Sequence, residues 1–258
     1  GIGLVTDDQR RVAELLPDGR RRGDAAEGQP VEDGEGGERV AADGAEVVIV
    51  GPASDERQAR AEAIAAERGL AIIPPFDDER IIAGQGTVGL EIAEDLPDVS
   101  TVLVPVGGGG LASGVAAAIK ALHPAARVIG VEPELAADAR DSLASGSIVR
   151  WSAADVARTI ADGTRTQSLG ELTFAHLRAL LDDIVTVTED EIVSAVRLAA
   201  ERSRLVVEPS GALAVAAIAF RAREAGIEPR RGPGVGVVSG GNVDPAAYRR
   251  YLDTPLPD

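Results

Sequence analysis

The chain has 258 residues and a mass of 26.5 kDa, enough for one large domain or two modest ones. Its 26 lysines and arginines face 42 acids, and the net charge of −16 disfavours general binding to a phosphate backbone; the lack of any cysteine excludes disulfide scaffolds, thiolate metal sites and thiol nucleophiles. No apolar run approaches the roughly 18 to 20 residues of a membrane span and no signal-peptide order opens the chain, so neither nucleic acid nor membrane is an expected partner and a cytoplasmic placement is expected.

In chain order, residues 1–44 carry nine glycines, the run Arg20-Arg21-Arg22 and little apolar periodicity beyond Val12 to Leu16, which reads as loop or disorder. From Ala45 onward short β-branched runs alternate with longer amphipathic ones, the pattern of an α/β protein. Strands are expected at 46–50, 70–73, 101–106, 127–131, 184–187 and 234–238, and their near-continuous apolar character suits a parallel sheet covered on both faces. Helices are expected at 54–68 behind a Ser54 cap, 88–95, 111–122, 172–181, 192–204 behind the capping box Thr188-Glu189-Asp190-Glu191, 212–224 and 245–252.

The sharpest motif is Val104-Pro105-Val106-Gly107-Gly108-Gly109-Gly110-Leu111, an apolar strand that runs into four glycines and then a small-residue helix. Successive residues without a Cβ let backbone N–H groups converge on one anion, and the helix N-terminus behind them adds its dipole. Val237-Val238-Ser239-Gly240-Gly241-Asn242 is a second strand that ends in a polar glycine turn, and in a parallel sheet both turns would open onto one crevice. Gly84-Gln85-Gly86-Thr87-Val88-Gly89 formally matches the dinucleotide-binding glycine pattern but has no strand before it, so a dinucleotide site is rejected. No P-loop and no Gly-x-Ser-x-Gly elbow occur, and His123 and His176 lie in no metal-ligand spacing. Glu132 and Asp138 follow the strand at 127–131 and could hold a hard divalent cation with the help of backbone carbonyls, although solvated surface carboxylates are the commoner outcome.

From about Glu38 to Leu252 these motifs, in this order, resemble the serine/threonine dehydratase and serine racemase family of fold-type II pyridoxal-phosphate enzymes. Phe76-Asp77-Asp78, Ile160-Ala161-Asp162-Gly163, Val207-Glu208-Pro209-Ser210-Gly211 and Ser239-Gly240-Gly241-Asn242 stand in register with the glycine loop. The resemblance implies a doubly wound, twisted, mainly parallel α/β sheet like that of the tryptophan synthase β chain. Residues 1–37 would have no counterpart, 38–78 would be the remnant of a smaller domain left incomplete, and 79–258 would form the larger, cofactor-binding domain. It also implies that Gly107, Gly108, Gly109 and Gly110 bind the phosphate of pyridoxal 5'-phosphate, that Ser239 hydrogen-bonds its pyridine nitrogen, and that Glu132, Asp138 and the carbonyl of Ala136 hold Mg²⁺, Mn²⁺ or Ca²⁺. Glu208 and Asp162 would lie near the cofactor.

The implied activity is conversion of L-threonine or L-serine to ammonia and a 2-oxo acid, with serine racemisation as an alternative and a homodimer as the expected assembly. The family also carries a Ser-x-Lys-x-Arg segment, whose lysine forms the Schiff base, and a Ser-Gly-Asn-His loop with a catalytic serine. Neither occurs in these 258 residues, and the one lysine, Lys120, does not match the Schiff-base position. No catalytic residue is therefore assigned. The expectation is a chain from a truncated or partly out-of-frame gene with impaired catalysis, or a non-catalytic phosphate-binding remnant or partner subunit.

Overall fold

The computed structural model describes residues 3–7, 11–14, 46–50, 54–227 and 232–255. They fall into two compact units, Gly1–Pro75 and Phe76–Asp258. The first unit has strands β1 (Gly3–Asp7), β2 (Arg11–Glu14) and β3 (Glu46–Ile49), helix α1 (Ser54–Arg68) and strand β4 (Ala71–Ile73). The sheet order is β3-β2-β1-β4, with β1 antiparallel to β2, β2 antiparallel to β3 and β1 parallel to β4. Ala61 and Ile64 of α1 are buried against Val48 and Leu70.

Residues 3–7 and 11–14, expected to be loop, are strands. Their apolar content, Leu4-Val5 and Val12-Ala13, is too short for periodicity to separate from loop, and pairing with β3 and β4 supplies what local pattern lacks. The rest of the 1–44 segment and the side chain of Ser54 lie outside the described residues, although α1 does begin at Ser54.

The second unit opens with α2 (Glu79–Asp95), β5 (Thr101–Pro105), α3 (Gly110–Leu122), β6 (Arg127–Pro133) and α4 (Asp138–Ser145). A short α5 (Ala153–Val156) and a 3₁₀ turn (Asp162–Thr164) lead to α6 (Glu171–Leu180), β7 (Asp183–Val187), α7 (Glu189–Leu198), α8 (Leu213–Phe220), β8 (Gly234–Gly236) and α9 (Pro245–Asp253). All four strands are parallel, in the order β7-β6-β5-β8.

The sheet is doubly wound because each strand alternates its side chains between two cores. Val102, Val104, Val106 and Val128 pack with Ala112, Val115 and Ile119 of α3 and Leu177 of α6. Leu103, Ile129, Val131 and Val187 point the other way, against Ile192 and Val196 of α7 and Leu213 of α8.

The helix expected at 88–95 begins nine residues earlier, at Glu79, where Asp78 accepts the N–H of Arg80 at 2.8 Å as its cap. Its glycines Gly86 and Gly89 are contact points between helices. A Cβ on Gly89 would lie 2.7 Å from that of Ala118, and one on Gly114 would lie 2.3 Å from the Ile82 carbonyl. The dinucleotide-like glycine pattern at 84–89 is thus helix, in keeping with its rejection. The capping box of α7 forms as expected, with Thr188 N–H donating to Glu191 Oε2 at 2.8 Å and Glu191 N–H donating to Thr188 Oγ1 at 3.2 Å. α7 then passes into a π turn (Ala199–Ser203) that ends on Arg204 in the left-handed region.

Candidate active site

β5 and β8 are parallel neighbours in the register Thr101↔Gly234, so the chain leaves both at the carboxyl edge of the sheet. β5 runs into the turn at 107–110 and β8 into the turn at 239–242, at the edge where open parallel sheets hold their ligands. Gly108, Gly109 and Gly110 are buried, and Gly109 sits at φ +90°, a conformation that only glycine adopts without strain. Helix α3 follows with no side-chain cap.

Among the described residues, no group accepts a hydrogen bond from the N–H of Gly107, Gly108, Gly109 or Gly110. Buried backbone donors are nearly always paired, so three buried donors and a half-buried one in succession without acceptors form a place that could receive an anion. The walls fit tightly. A Cβ on Gly108 would lie 2.2 Å from the Phe76 ring, and one on Gly107 would lie 3.1 Å from the Thr164 Cα. The Gly108 carbonyl accepts the hydroxyl of Thr173 at 2.7 Å. The four consecutive unpaired donors fit a phosphate monoester.

The turn at 239–242 is locked to the segment at 206–211. Glu208 N–H donates to the Gly240 carbonyl at 3.1 Å, and Asn242 N–H donates to Glu208 Oε2 at 2.7 Å. A Cβ on Gly211 would lie 2.3 Å from the Gly240 carbonyl, so the backbone there admits only glycine, and one on Gly240 would lie 2.3 Å from Glu208 Oε1 and would push that carboxylate aside. Gly163 N–H donates to Ser210 Oγ at 2.8 Å and joins the Asp162-Gly163 turn to this assembly. Burial raises the Glu208 carboxyl above its ordinary range, and the nearby charge of Asp162 adds to the effect. Ser239 itself is exposed.

Glu132, at the end of β6, is fully buried and accepts the N–H groups of Ala139 (3.0 Å) and Arg140 (2.8 Å) at the start of α4. Burial and the charge of Asp138 push its carboxyl well above the usual range. Burial pushes Asp138 up to about 7, and its Oδ2 has no hydrogen-bond partner among the described residues. The structure therefore brings Glu132 and Asp138 together. No cluster of three or more His, Asp or Glu side chains that could hold a metal occurs among the described residues.

Lys120 lies elsewhere. On the last turn of α3, its Nζ donates to the Ala126 carbonyl at 2.8 Å and to Asp182 Oδ2 at 2.7 Å. Ten residues of helix separate it from Gly110, about 15 Å. His123 caps the same helix through its N–H to Ile119, and His176 Nδ1 lies 2.8 Å from the Leu172 carbonyl on an exposed face. The contacts of Phe76 and Thr173 with the glycine turn were not expected from sequence; a threonine two residues into a helix is an ordinary capping pattern, and nothing local announces a partner 65 residues away.

An α/β sheet with an amide-lined turn at its carboxyl edge is an arrangement that could hold a small anionic group. Comparison with known proteins narrows the class. The family described as "Pyridoxal-phosphate dependent enzyme" matches residues 37–240, and the chain belongs to that family. It is 45% identical over 201 residues to an L-threonine ammonia-lyase of Geobacter sulfurreducens, covering 78% of this chain and 48% of that one. It is 40% identical over 210 residues to a serine racemase of Schizosaccharomyces pombe, covering 81% and 62%. Among solved structures, threonine deaminase isoform 2 from Solanum lycopersicum superposes with a TM-score of 0.74 at 37% identity, covering 84% of this chain and 58% of that one. The chain thus spans about half to three-fifths of the length of these relatives.

Proposed function

We propose that this chain binds pyridoxal 5'-phosphate through the turn at 107–110 and serves the elimination of ammonia from L-threonine or L-serine. The observation that carries the reading is the row of four glycine amides without acceptors among the described residues, three of them on buried residues, at the carboxyl edge of β5. Similarity to proteins named threonine ammonia-lyase, threonine dehydratase and serine racemase supports the choice of chemistry.

Bound pyridoxal phosphate supplies an electron sink for loss of the α-proton from an amino acid. The residues of this chain act around it. Gly107 to Gly110 grip the phosphate with their amides, and the N-terminus of α3 adds its dipole. Ser239 presents a neutral hydroxyl to the pyridine nitrogen, which keeps positive charge out of the ring and favours elimination over transamination. Glu208 and Asp162 border that turn. Glu132, Asp138 and the Ala136 carbonyl hold a divalent cation such as Mg²⁺, Mn²⁺ or Ca²⁺, whose charge would relieve the two crowded carboxylates.

One observation favours a second reading, in which the chain binds the cofactor without turnover or as the partner of an active subunit: Lys120 is fixed at the far end of α3. A single preparation separates the two. Visible absorbance that survives gel filtration after incubation with pyridoxal phosphate, together with 2-oxo acid formed from threonine, is the result expected of the enzyme. Retained cofactor without 2-oxo acid supports the binding reading, and no retained cofactor contradicts both.

A further inference from the structure

We propose that Asp77 and Thr173 are positioning residues that hold the Gly108–Gly109 peptide with its N–H turned outward for the phosphate ester. The proposal rests on the reading of the glycine turn as a phosphate site. Because a peptide unit is planar and trans, its C=O and N–H point in opposite directions. Thr173 Oγ1 donates to the Gly108 carbonyl at 2.7 Å, so the Gly109 N–H must aim away from Thr173. That N–H has no acceptor among the described residues.

The Thr173 hydroxyl is itself constrained. It is fully buried and accepts the Gly170 N–H at 3.0 Å, and its one proton has the Gly108 carbonyl at 2.7 Å against the Gly170 carbonyl at 3.3 Å. Thr173 is placed by Asp77, whose carboxylate accepts the N–H of Thr173 at 3.0 Å and of Glu171 at 3.1 Å across the start of α6. A Cβ on Gly170 would lie 2.1 Å from the Asp77 Cγ, so the carboxylate is packed flush against the helix start.

Asp77 reaches this position from φ 55°, and only Asp77 and Arg204 among the described non-glycine residues take a positive φ. Such strain persists where the surroundings enforce it, and it points to a role. Here the turn also seats Phe76, the preceding residue, against Gly108 and Gly110. Phe76 closes one side of the loop while Thr173 holds the carbonyl on another. The loop is thereby preorganised before any ligand arrives.

A merely structural cap on α6 would affect stability alone, so the test reads affinity and stability side by side. Pyridoxal 5'-phosphate and pyridoxal, which lacks the phosphate, are titrated into the unchanged chain and into Thr173→Val, Thr173→Ser and Asp77→Asn, with urea unfolding of each. Loss of one positioning hydrogen bond predicts about tenfold weaker pyridoxal phosphate binding for Thr173→Val, with pyridoxal binding unchanged. Thr173→Ser keeps the hydroxyl and should stay within about threefold of the unchanged chain.

Undiminished pyridoxal phosphate affinity in Thr173→Val, even with a lower urea midpoint, overturns the proposal and leaves the phosphate reading standing. Failure of the unchanged chain to distinguish pyridoxal phosphate from pyridoxal overturns both. Should Thr173→Val not fold, Asp77→Asn decides by the same comparison: it tolerates the left-handed backbone but loses one acceptor, and unchanged affinity there overturns the proposal.

Discussion

A methyl group on Gly108 would meet the Phe76 ring at 2.2 Å, and one on Gly109 would meet the Thr173 Cβ at 2.9 Å from a backbone already at φ +90°. Gly108→Ala should therefore cost about 1–3 kcal/mol in urea unfolding through overpacking. It should also abolish retention of pyridoxal phosphate on gel filtration, whereas alanine at Gly84, where nothing lies within 4 Å of the added carbon, leaves retention unchanged. Glu208 makes a different prediction. Burial raises its folded-state pKa, so its contribution to stability is present below its ordinary value of 4.5 and is lost as pH rises through the raised one. Glu208→Gln, which can still accept the Asn242 N–H, should be more stable than the unchanged chain at pH 8 and should flatten that decline; equal slopes of stability against pH would contradict this.

At the scale of elements, α2 and α3 touch at Gly86, Gly89 and Gly114. Gly114→Ala places a carbon 2.3 Å from the Ile82 carbonyl, which cannot swing aside as a side chain could, so destabilisation of about 1–3 kcal/mol is expected from urea midpoints. Thr188→Ala removes one half of the α7 capping box and should cost about 1 kcal/mol by the same measurement. These two cases show what was legible in the sequence. Thr188 and Glu191 sit three residues apart and bond to each other, so local spacing suffices. Gly86 and Gly89 of α2 answer to a partner helix some 28 residues on, and local spacing left Gly86 outside the expected helix. For the same reason α4 was not expected: Ala139 and Arg140 bond to Glu132 on β6, a contact that no periodicity displays.

Over the whole molecule, the parallel sheet and its two glycine turns were legible because runs such as 101–106 and 127–131 are apolar on both faces and end in glycine or acid. The supports of the site were not legible, since Asp77 and Thr173 are 96 residues apart in sequence. With a net charge of −16 and a buried carboxylate pair at Glu132 and Asp138, a divalent cation should stabilise the folded chain. At about a hundredfold excess over its Kd, linkage gives ~2.7 kcal/mol. The thermal midpoint should rise with Ca²⁺ or Mg²⁺ and fall with chelator in the unchanged chain but not in Asp138→Asn; an equal response in both would place any cation elsewhere. The central claim, that four glycine amides grip a phosphate ester, is tested most directly by ¹H–¹⁵N spectra of the chain titrated with pyridoxal 5'-phosphate and, separately, with pyridoxal. The account predicts saturable shifts of the Gly107 to Gly110 amides with the phosphorylated compound alone; equal shifts with both, or none at these four residues, would contradict it.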